Sequence, residues 1–376
     1  QNNYSIEDNM KITHKLLLLN LTSLILANSA LAAEGAPTIE FGGRLQADNT
    51  TFDNDKYQYQ DGSELRRARL FVRGDLSENW DYKLQYDFAP VNSELKDGYV
   101  RYNGFANSRI TIGNFKQFSS LEELTSSNNM TFTERALPNS LVTGRGLGVG
   151  YQTWGDRYSV AVSAYDNEAN NLVGRQGVAG RFIYRPQLGE GQMLHLGLAV
   201  AREEDDDDNV RLRARPDSHQ DSHRIIDTHS IAGVTSFNKI GLEGAYVNGR
   251  FSAQTEFIRQ NLQRNIGSDL SFDGYYAYAS YFLSNDKRSY STSDASFGTV
   301  TPSSDKGAWE IAARISNLNL NDKDIAGGEA DIITLGVNYY MTRDLRFTAN
   351  YIMADSDKVA GNDDPNALQL RIRFTF

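Results

Sequence analysis

The end of the chain is its most constraining feature, because apolar and polar residues alternate strictly through Leu368-Gln369-Leu370-Arg371-Ile372-Arg373-Phe374-Thr375-Phe376. Successive side chains of a β-strand point to opposite faces, so the apolar residues share one face and the two arginines share the other. A strand of this kind that ends on an aromatic residue is typical of the last strand of a transmembrane β-barrel, which faces lipid outside and water inside. A soluble edge strand shows the same period, so the rest of the chain must decide between them.

The same alternation recurs in sixteen segments of the length that a tilted spanning strand requires. In the segment 80–89, Trp80 and Leu84 lie on one face and Asp81 and Lys83 on the other. The sequence therefore predicts an all-β fold, a sixteen-stranded antiparallel transmembrane β-barrel, with strands near 38–48, 64–75, 80–89, 95–104, 108–116, 145–154, 157–166, 177–186, 192–202, 239–247, 250–261, 271–283, 308–318, 331–341, 345–354 and 367–376. The alternative is a soluble sandwich, in which the apolar faces of two sheets meet.

Residues 10–32 read as a secretory signal peptide. Lys11 and Lys15 precede a short apolar stretch, and Ala30-Leu31-Ala32 is a small-x-small cleavage site. Residues 1–9 are interpreted as upstream sequence and residues 33–376 as the mature barrel. The mature part has no apolar run near the roughly 20 residues of a spanning helix, and the chain has no cysteine for disulfides. The predicted location is the outer membrane of a Gram-negative bacterium.

Short and long connections alternate between the predicted strands. The short turns are predicted on the periplasmic side. Long polar connections are predicted to face outward at 49–63, 117–144, 167–176, 203–238, 262–270, 319–330 and 355–366. One segment, 284–307, falls on the short-turn side but is long and rich in Ser, Thr and Asp. Either the strand register slips there or that turn is extended.

Basic residues recur on the predicted inner face. On the second strand, Arg67, Arg69 and Arg73 share inward parity, and the other inward basic residues are Arg44, Lys83, Arg101, Arg181, Arg185, Arg314, Arg346, Arg371 and Arg373. The guanidinium is a permanently charged, planar fork of donors that matches oxyanions such as phosphate. A lumen lined in this way concentrates anions. The alternative is that each arginine pairs with a carboxylate on the same face.

The connection from Lys116 to Gly144 carries apolar residues that solvent would not stabilise, namely Phe115, Phe118, Leu121, Leu124, Met130 and Phe132. A loop folded back inside the barrel buries them and narrows the pore, so an inward-folded third loop is predicted. The alternative is an ordinary packed external loop.

Four short motifs together resemble the phosphate-selective porins of the O and P family. They are Phe41-Gly42-Gly43-Arg44-Leu45-Gln46-Ala47-Asp48, Arg66-Arg67, Leu121-Glu122-Glu123-Leu124-Thr125-Ser126-Ser127 with Thr131-Phe132-Thr133-Glu134-Arg135, and Gly307-Ala308-Trp309-Glu310-Ile311-Ala312-Ala313-Arg314. The resemblance covers nearly the whole mature sequence. It implies a barrel in outer-membrane lipid and lipopolysaccharide, usually a homotrimer, that passes phosphate or polyphosphate along arginines.

The resemblance also implies a constriction. Its matching residues, together with the inward arginines and Glu123, give the predicted anion-binding set Arg44, Arg66, Arg67, Arg69, Arg73, Asp97, Glu123, Ser126, Ser127 and Arg135. Strand parity turns Arg66 outward, so a β-bulge is needed if Arg66 and Arg67 are both to reach the lumen.

The chain departs from the family pattern at Glu123, where the phosphate-specific members carry lysine. Glu122 and Glu134 add two more carboxylates, and no lysine or arginine lies between Gln117 and Glu134. The predicted function is a water-filled, anion-preferring channel for phosphate- or polyphosphate-type oxyanions. The alternative within transport is a weakly selective general porin or a cation-leaning one.

No other signal indicates chemistry. The formal charge of −10 includes six acidic residues in the run from Glu203 to Asp208, which is predicted to be a solvated external loop rather than a Ca²⁺ site. The histidines lack the spacing of a metal site. The sequence predicts no enzyme activity, no cofactor, no metal and no nucleic-acid partner. The alternatives from another class are a barrel enzyme and an adhesin that uses the 203–238 loop.

Overall fold

The alternating segments form one closed sheet. The computed structural model describes residues 37–90, 93–166, 175–358 and 361–376, and the predicted signal peptide lies outside them. Within these residues, sixteen antiparallel strands pair in sequence order and close into a barrel, which confirms the predicted fold class. They are β1 (Glu40–Asp53), β2 (Gly62–Ser77), β3 (Trp80–Asp87), β4 (Glu94–Phe105), β5 (Ser108–Lys116), β6 (Arg145–Trp154), β7 (Tyr158–Asp166), β8 (Gln176–Tyr184), β9 (Gln192–Val210), β12 (Ile231–Asn248), β13 (Phe251–Arg264), β14 (Leu270–Phe282), β17 (Ala308–Asp322), β18 (Ile325–Tyr340), β19 (Leu345–Asp357) and β20 (Asn366–Thr375).

The remaining elements are short. Two small sheets pair β10 (Arg213–Ala214) with β11 (Ile226–Asp227) and β15 (Tyr290–Ser291) with β16 (Ser296–Phe297). Between β5 and β6 lie the four-residue helix α1 (Leu121–Leu124) and a 3₁₀ turn (Leu137–Leu141). In the described part of the chain, no helix has the length and apolar character needed to cross a membrane.

The two faces of the strands differ in the way that the alternation predicts. On β20, Leu370 and Ile372 are exposed on the outside, whereas Gln369 and Arg371 are buried inside the barrel. A soluble sandwich would bury the apolar face and expose the polar one. The apolar side chains therefore form the outer surface of the barrel.

The barrel closes where β1 pairs with β20. The register runs from Arg44 opposite Thr375 at one end of the seam to Asp53 opposite Asn366 at the other. Phe376 extends the seam, because its N–H donates to the Gly43 carbonyl at 3.1 Å and its carbonyl accepts from the Gly43 N–H at 2.9 Å. Closure leaves no free strand edge.

Deletion of Phe376 is expected to lower the yield of folded barrel in membranes several-fold while leaving the conductance of the assembled channels nearly unchanged. The deletion removes two backbone hydrogen bonds of the closing seam. Heat-modifiable gel mobility measures the folded fraction. A matched control is Phe105→Ala, which removes another exposed aromatic side chain near the end of a strand away from the seam. Equal yields from the deletion and the control would contradict the role of the seam.

The connections lie at two ends of the barrel. The end where β1 starts and β20 stops, here called the short-turn end, carries tight hairpins such as the one at Gly249, whose φ of 55° suits glycine. The opposite, long-loop end carries most of the longer connections. The predicted long connection at 319–330 is wrong, because β17 and β18 extend until only Lys323 and Asp324 join them.

The prediction of a solvated external loop at the acidic run is wrong, because residues 203–208 continue β9. Glu203 is buried, accepts from Thr143 Oγ1 at 2.6 Å and pairs with Lys239 at 3.0 Å. These partners lie far away in sequence, so the run itself carries no sign of them. The connection between β9 and β12 shrinks to 211–230, here called the cap loop.

The cap loop folds over the lumen at the long-loop end. Ile225 and Ile226 are fully buried in an apolar cluster that also contains Leu137 and Leu141 of the 3₁₀ turn. This apolar cluster therefore lies inside the barrel, and the loop predicted as a possible adhesive surface is packed against the interior.

The segment 283–307, here called the short-turn insert, is an extended turn rather than a register slip, since β14 and β17 pair without interruption. It folds into the barrel. Gln152 Nε2 donates to the Ser293 carbonyl at 2.7 Å, and Arg181 Nη2 donates to the Ala295 carbonyl at 2.9 Å. The insert therefore lies against the inner wall of β6 and β8.

Candidate anion pathway

The connection 117–144, here called the inner loop, crosses the barrel interior. It leaves β5 and returns to β6, yet its contacts lie on the far wall. Glu122 N donates to the carboxylate of Glu256 on β13 at 2.6 Å, and Thr133 N donates to Asn350 Oδ1 on β19 at 2.9 Å. The loop therefore divides the lumen.

Local sequence prepares the inner loop for this path. Ser120 is the N-cap of α1, and its Oγ accepts from Glu123 N at 3.1 Å, as the S-x-x-E pattern favours. The Glu256 carboxylate accepts from the next free N–H groups, those of Leu121 and Glu122. An acid on the strand wall thus caps a helix in the loop.

Glu134 is bound by three arginines. Arg66 donates to it through Nε at 2.8 Å and Nη2 at 2.9 Å, Arg371 donates at 2.7 Å, and Arg67 lies at 3.5 Å. Burial raises the pKa of Glu134, but Arg66 and Arg67 outweigh burial and hold this pKa well below its usual value. The predicted site residues Arg66 and Arg67 therefore fix the inner loop to the wall of β2.

The other two carboxylates of the loop are also neutralised. Burial raises the pKa of Glu123, but Arg135 and Lys116, at 3.1 and 3.5 Å, lower it to about 2. Burial raises the pKa of Glu122 to about 6, against the effect of Arg314 at 3.6 Å. The loop does not present an acidic wall to the lumen.

Acid should release the inner loop through Glu123. Its folded pKa of about 2 lies below its ordinary value of 4.5, so its ion pairs stabilise the loop above pH 4.5 and lose this effect as the pH falls toward 2. Single-channel conductance is expected to stay constant between pH 7 and 5 and to rise below pH 4.5. Glu123→Gln should lack this acid component. An unchanged acid response in the variant would assign the effect to another group.

A β-bulge brings both Arg66 and Arg67 inward, as the sequence required. Gln46 pairs with Arg67 and Ala47 with Leu65, which leaves Arg66 as the extra residue of β2. A bulge places two consecutive side chains on one side of a strand.

A second bulge does the same on β4. Gln85 pairs with Asp97 and Tyr86 with Leu95, so Lys96 is the extra residue. Strand parity alone therefore places Lys96 on the wrong face.

A cavity of about 820 Å³, here called the main cavity, opens inside the barrel beside the inner loop. Nine basic and five acidic side chains line it, so positive charge is in excess. Of the predicted site residues, the structure brings together Arg44, Arg69, Arg73, Asp97, Ser126, Ser127 and Arg135. Arg66 and Arg67 do not line this cavity and pair with Glu134 instead. Glu123 lines a smaller cavity.

The smaller cavity, of about 280 Å³, is lined by Lys96, Arg175 and Lys239 together with Glu94, Glu123 and Glu203. Arg145 lines both cavities. Both cavities therefore border Arg145, and the region around this side chain is here called the cavity junction.

Positive charge exceeds negative charge near the cavity junction. Asp97 accepts from Lys83 at 2.6 Å and from Arg145 at 2.8 Å. Glu123 is likewise shared by Arg135 and Lys116. Arg44 makes no ion pair with a described residue, and its Nη1 donates to Ser126 Oγ at 3.3 Å. Four basic side chains thus share two carboxylates, and Arg44 adds a fifth basic side chain.

Ion pairs near the short-turn end are balanced one to one. They are Arg73 with Glu40 at 2.6 Å, Arg101 with Asp81 at 2.8 Å, and Arg109 with Asp294 of the insert at 2.5 Å. Arg69 is paired in the same way, with Asp87 at 2.6 Å. The paired-arginine alternative therefore describes much of the wall but not the cavity junction.

Sequence reasoning missed Lys96, Lys116 and Arg145 as residues that line the cavities. Arg145 is the first residue of a correctly predicted strand, and Lys116 is the last residue of another, so their positions at the ends of strands beside the inner loop were available as a signal. Lys96 required knowledge of the bulge.

The described residues show no group of three or more His, Cys, Asp or Glu side chains able to hold a metal ion. His195, the histidine on a barrel strand, contacts Tyr290 Oη through Nδ1 at 2.7 Å and Glu243 Oε2 through Nε2 at 2.9 Å. Its ring nitrogens face a phenol and a carboxylate rather than a serine, so the contacts do not form a hydrolase triad.

Comparison with known families gives a match that spans the whole barrel. The sequence profile described as "Phosphate-selective porin O and P" matches residues 39–376. Porin O of Pseudomonas aeruginosa is 28% identical over 387 residues, which cover 90% of this chain and 88% of that protein.

Solved structures share the fold. The anion-selective porin from Comamonas acidovorans superposes with a TM-score of 0.60 at 13% identity, covering 90% of this chain and all of that one. The trimer form of OmpT, an outer membrane protein of Vibrio cholerae, gives a TM-score of 0.59 at 13% identity, with 91% of this chain and all of that one covered. At this identity the likeness supports the barrel architecture.

Proposed function

Since the chain belongs to the phosphate-selective porin O and P family, we propose that it forms a water-filled, anion-preferring channel for phosphate- or polyphosphate-type oxyanions in the outer membrane of a Gram-negative bacterium. The observation that carries the proposal is the excess of positive charge at the cavity junction, where four basic side chains share two carboxylates and Arg44 is a fifth basic side chain. An anion that passes there exchanges its water for arginine and lysine donors, none of which needs to bind tightly.

The proposed pathway residues fall into two roles. Arg44, Arg69, Asp97, Ser126, Ser127 and Arg135 line the main cavity, and Lys83, Lys116 and Arg145 join them. Arg73 lies nearer the mouth, with its side chain half exposed. Arg66 and Arg67 position the inner loop through Glu134, and Glu123 holds Arg135 and Lys116. The family supports a channel, and we propose no covalent chemistry for it.

The cation-leaning alternative loses its main support. It rested on Glu122, Glu123 and Glu134, and each of these carboxylates has a basic partner in the structure. A weakly selective porin remains the second candidate, since paired arginines line much of the wall.

The proposed assembly is a homotrimer surrounded by lipid and lipopolysaccharide. The outer face is apolar and carries exposed aromatic residues such as Trp309 and Phe347, which suits both lipid and a neighbouring subunit. OmpT of Vibrio cholerae, which shares the fold, is recorded in a trimer form.

The reversal potential of single channels in a KCl gradient tests the function. We expect a reversal potential whose sign corresponds to chloride preference. We also expect inorganic phosphate, added to either side, to block the chloride current in a saturable manner. A reversal potential near zero with no block would favour the weakly selective porin, and the opposite sign would exclude an anion channel.

A further inference from the structure

Arg346 and Arg373 form a buried cationic pair that lies outside both cavities. They stand directly opposite each other in the ladder between β19 and β20, near the short-turn end. Both point into the barrel, and each is only 1% exposed. Like charges at directly opposed positions of a sheet repel each other.

Part of their hydrogen-bonding capacity holds the inner loop. Arg346 Nη1 donates to the Met130 carbonyl at 2.8 Å, and Arg373 Nη1 donates to the Asn128 carbonyl. Arg373 Nη2 donates to the Arg343 carbonyl at 3.0 Å. These acceptors are neutral, so the two positive charges are not balanced by them.

The rest of that capacity is unused. Arg346 Nε, Arg346 Nη2 and Arg373 Nε are buried without any hydrogen-bond partner. Neither arginine forms an ion pair with a carboxylate in the described ranges. The carboxylate of Glu310 is reached only through the phenol of Tyr340, which accepts from Arg346 at 3.4 Å and donates to Glu310 at 2.8 Å.

Arg185 shows how this fold satisfies a buried arginine without an anion. It also lies on the inner face near the short-turn end and makes no ion pair with a described carboxylate. Its donors reach Ser159 Oγ at 2.9 Å and the carbonyls of Gly155 and Tyr158 at 2.8 and 2.7 Å. Arg44, Arg67 and Arg314 also bury an Nε without a partner, but only Arg346 among the described arginines leaves an Nη2 buried and unused as well, and it does so opposite a second arginine.

We propose that Arg346 and Arg373 together bind one small tetrahedral inorganic oxyanion, of the phosphate or sulfate type, in a closed site behind the inner loop. Opposed residues of neighbouring strands lie close enough for both guanidinium groups to reach a single ion. The free N–H groups are those that an oxyanion accepts from, and its charge offsets the repulsion between the two arginines. The bound ion holds residues 128–130, which follow directly after Ser126 and Ser127 of the pathway.

The site differs from the pathway in what the ion does. An ion at the cavity junction passes on, whereas an ion at this site stays and stabilises the loop that shapes the junction. The proposal therefore does not depend on which ion the channel conducts.

Crystals of the full-length protein soaked in selenate test the site directly. Selenate is a tetrahedral oxyanion whose selenium scatters anomalously. We expect an anomalous peak between the two guanidinium groups, with oxygens about 3 Å from Arg346 Nη2 and Arg373 Nε. Absence of this peak at saturating selenate would overturn the proposal, whatever the conductance experiments show.

Stability measurements on the same protein give a second readout. In detergent and oxyanion-free buffer, inorganic phosphate should raise the midpoint of heat-modifiable unfolding of the wild type in a saturable manner. Arg373→Gln should lose this shift, unfold no earlier than the wild type without phosphate, and keep phosphate block of the current. Arg185→Gln, the matched control, should keep the shift.

Two results of the stability measurement would overturn the site. One is a full phosphate shift in Arg373→Gln, which would place the stabilising ion elsewhere. The other is a lower midpoint of Arg373→Gln in oxyanion-free buffer with no phosphate shift in the wild type, which would make Arg373 a purely structural residue. If the variant does not fold, the selenate experiment on the wild type decides.

Discussion

Replacing Arg145 with alanine is expected to lower the anion-to-cation permeability ratio about tenfold, which corresponds to about 1.4 kcal/mol. Arg145 lines both cavities and shares Asp97 with Lys83. Without Arg145, Asp97 and Lys83 form a neutral pair, so the cavity junction loses one full positive charge. Charges at such a confined position interact by roughly several kcal/mol before desolvation is subtracted, so a tenfold effect is a conservative expectation.

The matched control is Arg101→Gln. It removes the same charge from the same cavity, but near the short-turn end, where Arg101 pairs with Asp81. Salt screens charges more strongly in a wide mouth than in a narrow passage. We expect a change of less than about twofold. Equal effects of the two variants on the reversal potential would show that selectivity depends on total charge rather than on the cavity junction.

Glu134→Gln should have the largest effect on the inner loop. Glu134 pairs with Arg66, Arg67 and Arg371, and its side chain is 15% exposed. Loss of one partner in a buried ion pair typically costs about 3 to 5 kcal/mol, because the remaining charge is left buried and unpaired. Arg371 keeps its second partner, Asp48, at 2.6 Å, so the cost falls mainly on Arg66 and Arg67. We expect a larger single-channel conductance with more current noise. We also expect the inner loop to be cleaved at a clearly lower protease concentration.

Glu122→Gln is the control for this prediction. Glu122 lies in the same loop, but burial raises its pKa to about 6, so its charged form stabilises the fold less than the protonated form does. Its partner Arg314 also keeps Asp217 at 2.5 Å. This variant should behave like the wild type at pH 5 and be at least as stable at pH 8. A loss in Glu122→Gln as large as that in Glu134→Gln would mean that any charge removal loosens the loop.

The strands could be predicted because the two faces of a spanning strand meet different surroundings, and period-two alternation records this difference directly. Extra residues could not be predicted with the same rule, since a bulge changes the parity of everything beyond it. The resemblance exposed the bulge at Arg66 because two arginines needed one face. Nothing comparable marked Lys96, whose bulge appears only in the pairing of β3 with β4.

The contacts between residues inside the lumen could not be predicted from the sequence for a different reason. Glu134 meets Arg66 and Arg371, which are 68 and 237 residues away. No periodicity connects positions so far apart. The segment 283–307 shows the same limit, because its unusual length was visible while its course into the lumen depends on contacts such as that between Arg181 and Ala295.

The double role of Arg371 has a consequence for the order of folding. This residue of the last strand pairs with Asp48 across the closing seam and with Glu134 of the inner loop. A barrel that has not yet received β20 leaves Asp48 without its arginine and Glu134 with one arginine fewer, at positions that water leaves as the lumen fills. Partly closed intermediates are thereby destabilised, so that closure of the seam and docking of the inner loop become a single cooperative event. The two ion pairs of Arg371 therefore couple the closure of the barrel to the packing of its interior.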